Sequence, residues 1–423
     1  MGQSFSLEIP AHMTILYHHR TQGKGIEGVH IMGMVAGFRK LGHLVKIIGP
    51  PGTDPESHPQ FSSSYHQGSL RVLWKIICEH VPEIFFEFLE IVYNFYSFFR
   101  LLIFLKANKV DFIYERYALF QFGGVAAACL NKLPIVLEVN DSALVDRSRP
   151  LKSKKMAVWF ERRIFKNAHV LVTISNYFKK RILSYNIHSG KVHVLPNAIN
   201  PDILNPQRYE GYAVKKNYHL ESRFIIGFVG LFVPWHGLLV LLDVFAKLAA
   251  KNDSMHLLLV GDGPERAKIE GRIAEMDLKD KVTITGYVLH NRVPAFIKSF
   301  DVAVMPNSNE HGSPMKIFEY MSMARPIVAP SYSPIQEVLV DGKNALLFEP
   351  NDEKGLCLAL ETLIDDEELR RRLGENGRRD VLAKHTWQNN AVQILSKLDY
   401  PRRAFSLPPS SGCAYSCRGG NRQ

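Results

Sequence analysis

Cysteine is scarce: five residues in a chain of 423, with no C-x-x-C pair. That excludes a disulfide-stapled scaffold and a zinc ribbon. The odd count and wide spacing fit a reducing compartment, so a cytoplasmic location is expected. Cys413 and Cys417 form a C-x-x-x-C spacing. No further ligands stand near them, and a metal site there is discarded. No G-x-S-x-G, H-E-x-x-H or Walker sequence occurs, which removes the serine hydrolase, zincin and P-loop readings. Neither a metal site nor a cofactor is expected. Met1 to Tyr17 lack a basic segment followed by an apolar one, so they do not read as a secretory signal. A clean apolar run is missing as well. The most apolar stretch, Ile84 to Leu105, is interrupted by Glu87, Glu90 and Arg100, short of the ~20 uninterrupted residues of a spanning helix. Its dense aromatics fit a buried core helix, or a helix lying in a membrane interface with its apolar side down.

What is present is a globular composition, 46% hydrophobic and 22% charged, long enough for two or three domains. The net charge of +11 is concentrated. Between residues 151 and 200 stand ten Lys/Arg against one acid, Glu161. That window is either a solvated helical face or a surface for a polyanion, an anionic membrane included. The remainder is close to neutral, which argues against a nucleic-acid partner.

Short β-rich runs alternate with helical stretches. Runs at 13–18, 43–49, 110–114, 134–139, 169–175 and 191–196 form one series. A second begins at 223–230 and continues at 255–261, 281–286, 301–306, 326–330 and 345–348. Strand–helix alternation means βαβ units and parallel sheets. The expected architecture is α/β, with two Rossmann-like, doubly wound domains facing across a cleft. The first spans residues 1–204, with a helix at about 381–398 returning to it. Residues 205–222, polar with no apolar period, read as a linker, 223–380 as the second domain, and 399–423 as an unstructured tail. In such sheets ligands bind at the carboxyl ends of strands.

Loops there carry the motifs. Gly261, Asp262 and Gly263 follow one strand in VGDGPERAKIE (260–270), a tight turn or a close approach to a ligand. Gly312 and Ser313 precede a helix beginning near Pro314–Met315, whose N-terminus suits a phosphate. Lys316 in its first turn opposes the helix dipole unless an anion binds there. Glu319, a turn later, is a surface charge or a hydrogen-bonding group for paired ribose hydroxyls. His236 lies in LFVPWHG (231–237), after the strand ending at Gly230. In the first half, GKGIEGVH (23–30) supplies Gly28 at a helix start, and EVND (138–141) closes a buried strand. In IYERY (113–117), Glu115 and Arg116 are expected to pair with each other.

Together, GDGP, SP-x-K-x-FEYM, PNAINP (196–201), PWHG and VLVDGKNALLFEP (338–350) resemble glycosyltransferase family 4, in a bacterial polysaccharide-type branch. The resemblance covers roughly residues 13–398. It implies a GT-B fold and transfer of sugar, with retention of configuration, from a nucleotide-sugar donor to a glycan or lipid-linked acceptor. By the same resemblance Gly28 and Gly230 sit beside the donor, and Gly261, Asp262 and Gly263 line the nucleotide pocket. Val288 lies near the base, Gly312, Ser313, Pro314 and Met315 face the diphosphate, and Glu319 holds the ribose. Helical residues near Trp387 cross back to the first domain. The chain also departs from the family. His311 stands where the family has a Glu, Asn140 where it has a His, Leu231 and Val233 where an Arg falls, and His236 at a Lys. Lys316 is therefore expected to supply the missing positive charge, with Asn140 and His311 at catalytic positions. A nucleotide-sugar epimerase and a catalytically silent sugar-nucleotide binder are the rival readings.

Overall fold

The computed structural model describes residues 12–23, 25–56, 83–145 and 151–398; the expected unstructured tail, 399–423, lies outside them. Every strand expected from the sequence is present. The first sheet contains β1 (Thr14–His18), β2 (Leu44–Ile48), β3 (Phe112–Arg116), β4 (Ile135–Val139), β5 (Val170–Thr173) and β6 (Val192–Val194). The second contains β7 (Phe224–Val229), β8 (Met255–Val260), β9 (Val282–Ile284), β10 (Val302–Val304), β11 (Ile327–Pro330) and β12 (Leu346–Phe348). All pairings are parallel. The strand orders are 2-1-3-4-5-6 and 12-11-10-7-8-9. Strands buried on both faces need continuous rather than alternating hydrophobicity, and β4, β8 and β11 are buried at every position.

Around the first sheet lie α1 (Gly25–Lys40), α2 (Glu83–Ala107), α3 (Gly123–Asn131), α4 (Lys154–Asn167) and α5 (Asn176–Leu183). The second carries α6 (Gly211–Asn217), α7 (Leu238–Lys251), α8 (Arg266–Glu275), α9 (Val293–Ser299), α10 (Met315–Ser322), α11 (Ser333–Gln336), α12 (Glu353–Asp365) and α13 (Glu367–Lys384). The chain then crosses back. α14 (Trp387–Leu395) buries Trp387, Ala391 and Ile394 in the same cluster as β1 and α1.

Residues 205–222 are more than a connection. Val214 and Leu220 in and beside α6 are buried in the second unit's core. A seven-residue helix is too short to show the apolar period that would have revealed it.

The core-helix reading of Ile84–Leu105 is corrected. α2 buries its polar side, with Glu87, Asn94 and Ser97 all covered. Its apolar side is exposed, Phe88 at 58% and Phe99 at 60%. The polar side chains have partners: Glu87 accepts from the Lys152 and Ser153 amides and Asn94 from the Gly123 amide. Those bonds offset the cost of burial.

Each sheet has a switch point where the strand order reverses direction. In the second sheet the chain leaves β7 toward β8 on one side and reaches β10 on the other. Loops from β7 and β10 therefore diverge and leave a crevice at their carboxyl ends. In the first sheet the corresponding point lies between β1 and β3.

Candidate donor site

At the second switch point the sequence-derived residues converge. Gly230 ends β7 at φ +146° and Gly261 ends β8 at φ +147°, values that L side chains rarely adopt. A Cβ at Gly261 would stand 2.0 Å from the Gly230 carbonyl oxygen, so the two loops touch backbone to backbone. Asp262 continues the contact: its carbonyl accepts from the Phe232 amide, and its carboxylate pairs with Arg266 at 3.0 Å. Val288 packs against the second unit's core.

Lys316 is the centre of the site. It is only 8% exposed. Its Nζ stands 3.4 Å from His236 Nε2 and 4.1 Å from the centre of the Phe228 ring, beside Gly230. His236 donates from Nδ1 to the Leu231 carbonyl at 2.6 Å, which leaves Nε2 to accept from Lys316. Burial pulls Lys316 down to about 7, against an opposing pull from Glu319. Burial, with Lys316 next, pulls His236 down to about 4, so the imidazole is neutral at pH 7. A cation held without a carboxylate in direct contact, at the start of a helix, is an anion site in its electrostatics.

Glu319, one turn along α10, is buried, and burial raises its carboxyl above the ordinary range against the pull of His290 and Lys316. His290 Nε2 lies 4.0 Å away. His290 was missed in the sequence, because nothing in its spacing links it to position 319.

The loop before α10 behaves differently from the simple expectation. Pro314 has no N–H, and the Gly312 amide is engaged by Asn309 Oδ1 at 2.7 Å. Ser313 turns toward the first unit, its carbonyl accepting from Asn197 Nδ2 at 2.6 Å. Met315 packs against the first unit's core. The His311 ring lies 5.9 Å from both Tyr177 and Phe178 of α5, in contact with the first unit.

The first-domain half of the cleft holds a network that the sequence did not reveal as one. Arg116 Nη1 donates to Glu138 Oε1 at 2.7 Å and to His30 Nδ1 at 2.9 Å. His30 Nε2 donates to Asn197 Oδ1 at 2.9 Å, and Asn197 reaches Ser313. Tyr114 and Asn140 also donate to the Glu138 carboxylate. Asn140 is thus tied to Glu138, and its own buried Oδ1 has no partner. Burial would raise Glu138, but the Arg116 charge and the hydrogen bonds from Tyr114 and Asn140 outweigh it and hold the carboxyl below the ordinary range. Burial also lowers His30 to about 4, so it relays as a neutral ring.

Glu115 and Arg116 do not pair with each other. Successive strand residues point to opposite faces of a sheet. Glu115 instead contacts His18 Nδ1 at 2.5 Å, and Ser97 of α2 contacts His18 Nε2 at 2.9 Å. Gly28 lies in the first turn of α1, where a Cβ would meet the Gly23 carbonyl oxygen at 2.4 Å; the β1–α1 loop is folded back over the helix.

Comparison with known proteins agrees with this geometry. The family described as Glycosyltransferase Family 4 matches residues 27–203, and Glycosyl transferases group 1 matches residues 213–380. An uncharacterized glycosyltransferase of Methanocaldococcus jannaschii is 28% identical over 345 residues, 81% of this chain and 89% of its own. The alpha-D-kanosaminyltransferase of Streptomyces kanamyceticus is 25% identical, over 60% of this chain and 67% of its own. Among solved structures, a glycosyltransferase from Rickettsia africae superposes with a TM-score of 0.69 at 18% identity, covering 91% of this chain and 98% of its own. Anabaena HepE, solved in complex with UDP, gives 0.66 at 15% identity, covering 91% and 100%. A Glycosyltransferase Family 4 domain followed by a Glycosyl transferases group 1 domain, folded as two facing Rossmann-like units, makes this chain a GT-B glycosyltransferase.

Proposed function

We propose that the chain transfers a sugar, with retention of configuration, from a nucleoside-diphosphate donor to a glycan or lipid-linked acceptor in surface polysaccharide or glycolipid synthesis. The observation that carries this reading is the buried Lys316 ammonium at the β7/β10 crevice, with the buried Glu319 carboxylate one turn further on. A diphosphate seated there would restore the charge balance that burial removes. Its negative charge grows as the sugar departs, so the cation acts more strongly on the transition state than on the ground state. Glu319 is spaced to accept from ribose hydroxyls. Asn140 and the Arg116–Glu138 network face the acceptor side. HepE was solved with UDP, which makes UDP the first nucleotide to test. A cytoplasmic site of action fits the free thiols of Cys129 and Cys357.

The test follows from the sign of the Lys316 shift. With a free-state value of about 7, the side chain is largely neutral at pH 8. A bound diphosphate raises that value, because a nearby opposite charge favours the protonated form. UDP binding should then take up close to one proton at pH 8, and affinity should weaken as pH rises from 7 to 9. Calorimetry in two buffers of different ionisation enthalpy measures the uptake directly. Zero uptake with tight binding would place the diphosphate away from Lys316.

Glu319→Gln should raise the donor KM about ten- to a hundredfold with the fold intact, the loss of a charge-assisted hydrogen bond of about 1.5–3 kcal/mol. Steady-state nucleotide release, with circular dichroism as the folding control, decides it. An unchanged KM removes Glu319 from ribose binding.

A further inference from the structure

α2 is built inside out. Every exposed side chain between residues 84 and 105 is apolar or aromatic. Phe85, Phe88, Val92, Phe95, Phe99 and Ile103 are 44–71% exposed. Their spacing of three and four residues puts them in one stripe along the helix. The inner face is committed to the protein. Arg20 donates to Glu90, Ser97 meets His18, and Arg100 donates to the Gly49 carbonyl. By length and composition alone the helix could cross a membrane, contrary to the expectation drawn from its interrupting charges. It cannot do so while keeping those inward bonds. A surface helix with its apolar face outward is the remaining geometry.

The stripe is flanked by charge of one sign. Glu87 of α2 receives the backbone amides of Lys152 and Ser153, which brings the start of α4 against the start of α2. Aromatic rings continue from one helix to the other: Phe95 to Phe122 at 5.7 Å, Phe122 stacked on Phe160 at 5.6 Å, and Phe160 to Trp159 at 5.0 Å. Trp159 is half exposed, with Arg163 over its ring at 4.5 Å. Lys152, Lys154, Lys155, Arg162, Arg163 and Lys166 are all exposed on or just before α4, while its acid, Glu161, is fully buried. An apolar stripe beside an amphipathic aromatic and a cluster of cations is complementary to the acyl boundary and headgroups of an anionic bilayer. A second copy of the chain would bring the same six cations with it, which disfavours that occupant.

We infer that α2 and α4 together form a docking face for an anionic lipid bilayer. α2 lies in the interface with its stripe down, and the α4 cations contact headgroups beside it. Because α2 also holds His18 and Arg20, docking sets the carboxyl end of β1, and with it the acceptor side of the cleft, close to the bilayer surface. The docking face goes beyond the transferase reading and does not depend on it; the placement of the acceptor side rests on that reading.

The experiment is vesicle flotation of the full chain, with phosphatidylglycerol–phosphatidylcholine vesicles and phosphatidylcholine alone. The wild-type protein should float with the anionic vesicles, less with the neutral ones, and less again at about 0.5 M salt, where the Debye length falls to a few ångströms. Phe88→Gln/Phe95→Gln/Phe99→Gln should lower partition at least tenfold on both vesicle types. Lys154→Gln/Lys155→Gln/Arg162→Gln should lower it about a hundredfold on anionic vesicles only. These side chains are exposed, so both variants should fold, and UDP binding in each shows separately whether the donor site survives. Wild-type protein that stays unbound with both vesicle types overturns the inference. So does a stripe variant that floats like wild type. If the wild type instead dimerises in sedimentation, ignores vesicles and becomes monomeric in the stripe variant, the face belongs to a second copy and the inference fails.

Discussion

Lys316→Met is expected to yield a protein about 10²–10³-fold slower in kcat and yet more stable than wild type in the absence of donor. Both effects come from one buried charge. The aliphatic stem of methionine preserves the packing on Phe228, while the ammonium 4.1 Å above that ring is lost. Its loss removes the cation at the crevice when charge develops on the leaving diphosphate. The stability effect follows from linkage. The folded-state value is about 7, whereas an unfolded lysine titrates near 10.4. Below about pH 7 the folded protein carries the full cost of a buried ammonium, of order several kcal/mol. As pH rises toward 10 that cost disappears, because the unfolded chain then also releases the proton. The variant should therefore gain most at pH 6–7 and little near pH 10. Thermal unfolding at three pH values, beside single-turnover kinetics, measures both effects. A slow variant that is also less stable at pH 7 would show Lys316 to be structural.

Glu138→Ala is expected to be the most damaging change in the first unit, at about 3–5 kcal/mol. Removing one partner of a buried ion pair leaves the other charged and uncompensated. Arg116 would keep its contact with His30 but lose its carboxylate, and Tyr114 and Asn140 would lose their acceptor. Glu138→Gln should recover part of the loss by keeping an acceptor for Tyr114. The wild-type contribution is present at neutral pH, since the carboxyl lies below its ordinary range when folded. It is lost only as pH falls below the ordinary carboxylate range and through that lower value. Denaturant unfolding of the three proteins at pH 7 orders them. Equal stabilities would mean that Arg116 escapes to water when the carboxylate is gone.

The two predictions differ in how their residues became visible. Lys316 was legible because its oddity is local. A cation in the first turn of a helix after Gly-Ser-Pro conflicts with the dipole in any tertiary setting. The twelve strands were legible for a similar reason, as a strand buried on both faces needs a continuous apolar run. Two such series with one interruption gave the two sheets.

The Glu138 network was not legible, since its members come from α1, β3, β4 and the 197 and 313 loops. Which strand neighbours which decides whether those groups meet, and the strand order is a property of the whole sheet. The same holds for the Glu115–Arg116 pair. Adjacency in sequence suggested a contact that the pleat forbids, and the two side chains found partners on opposite faces. α2 shows the limit most clearly. Its dense aromatics left two readings open, a buried core helix or a helix lying in a membrane interface. Which face turned inward was decided by the tertiary structure. Glu87, Asn94 and Ser97 found backbone and side-chain partners at α3, α4 and β1, and buried polar groups must be hydrogen-bonded, which no property of the isolated helix could have specified.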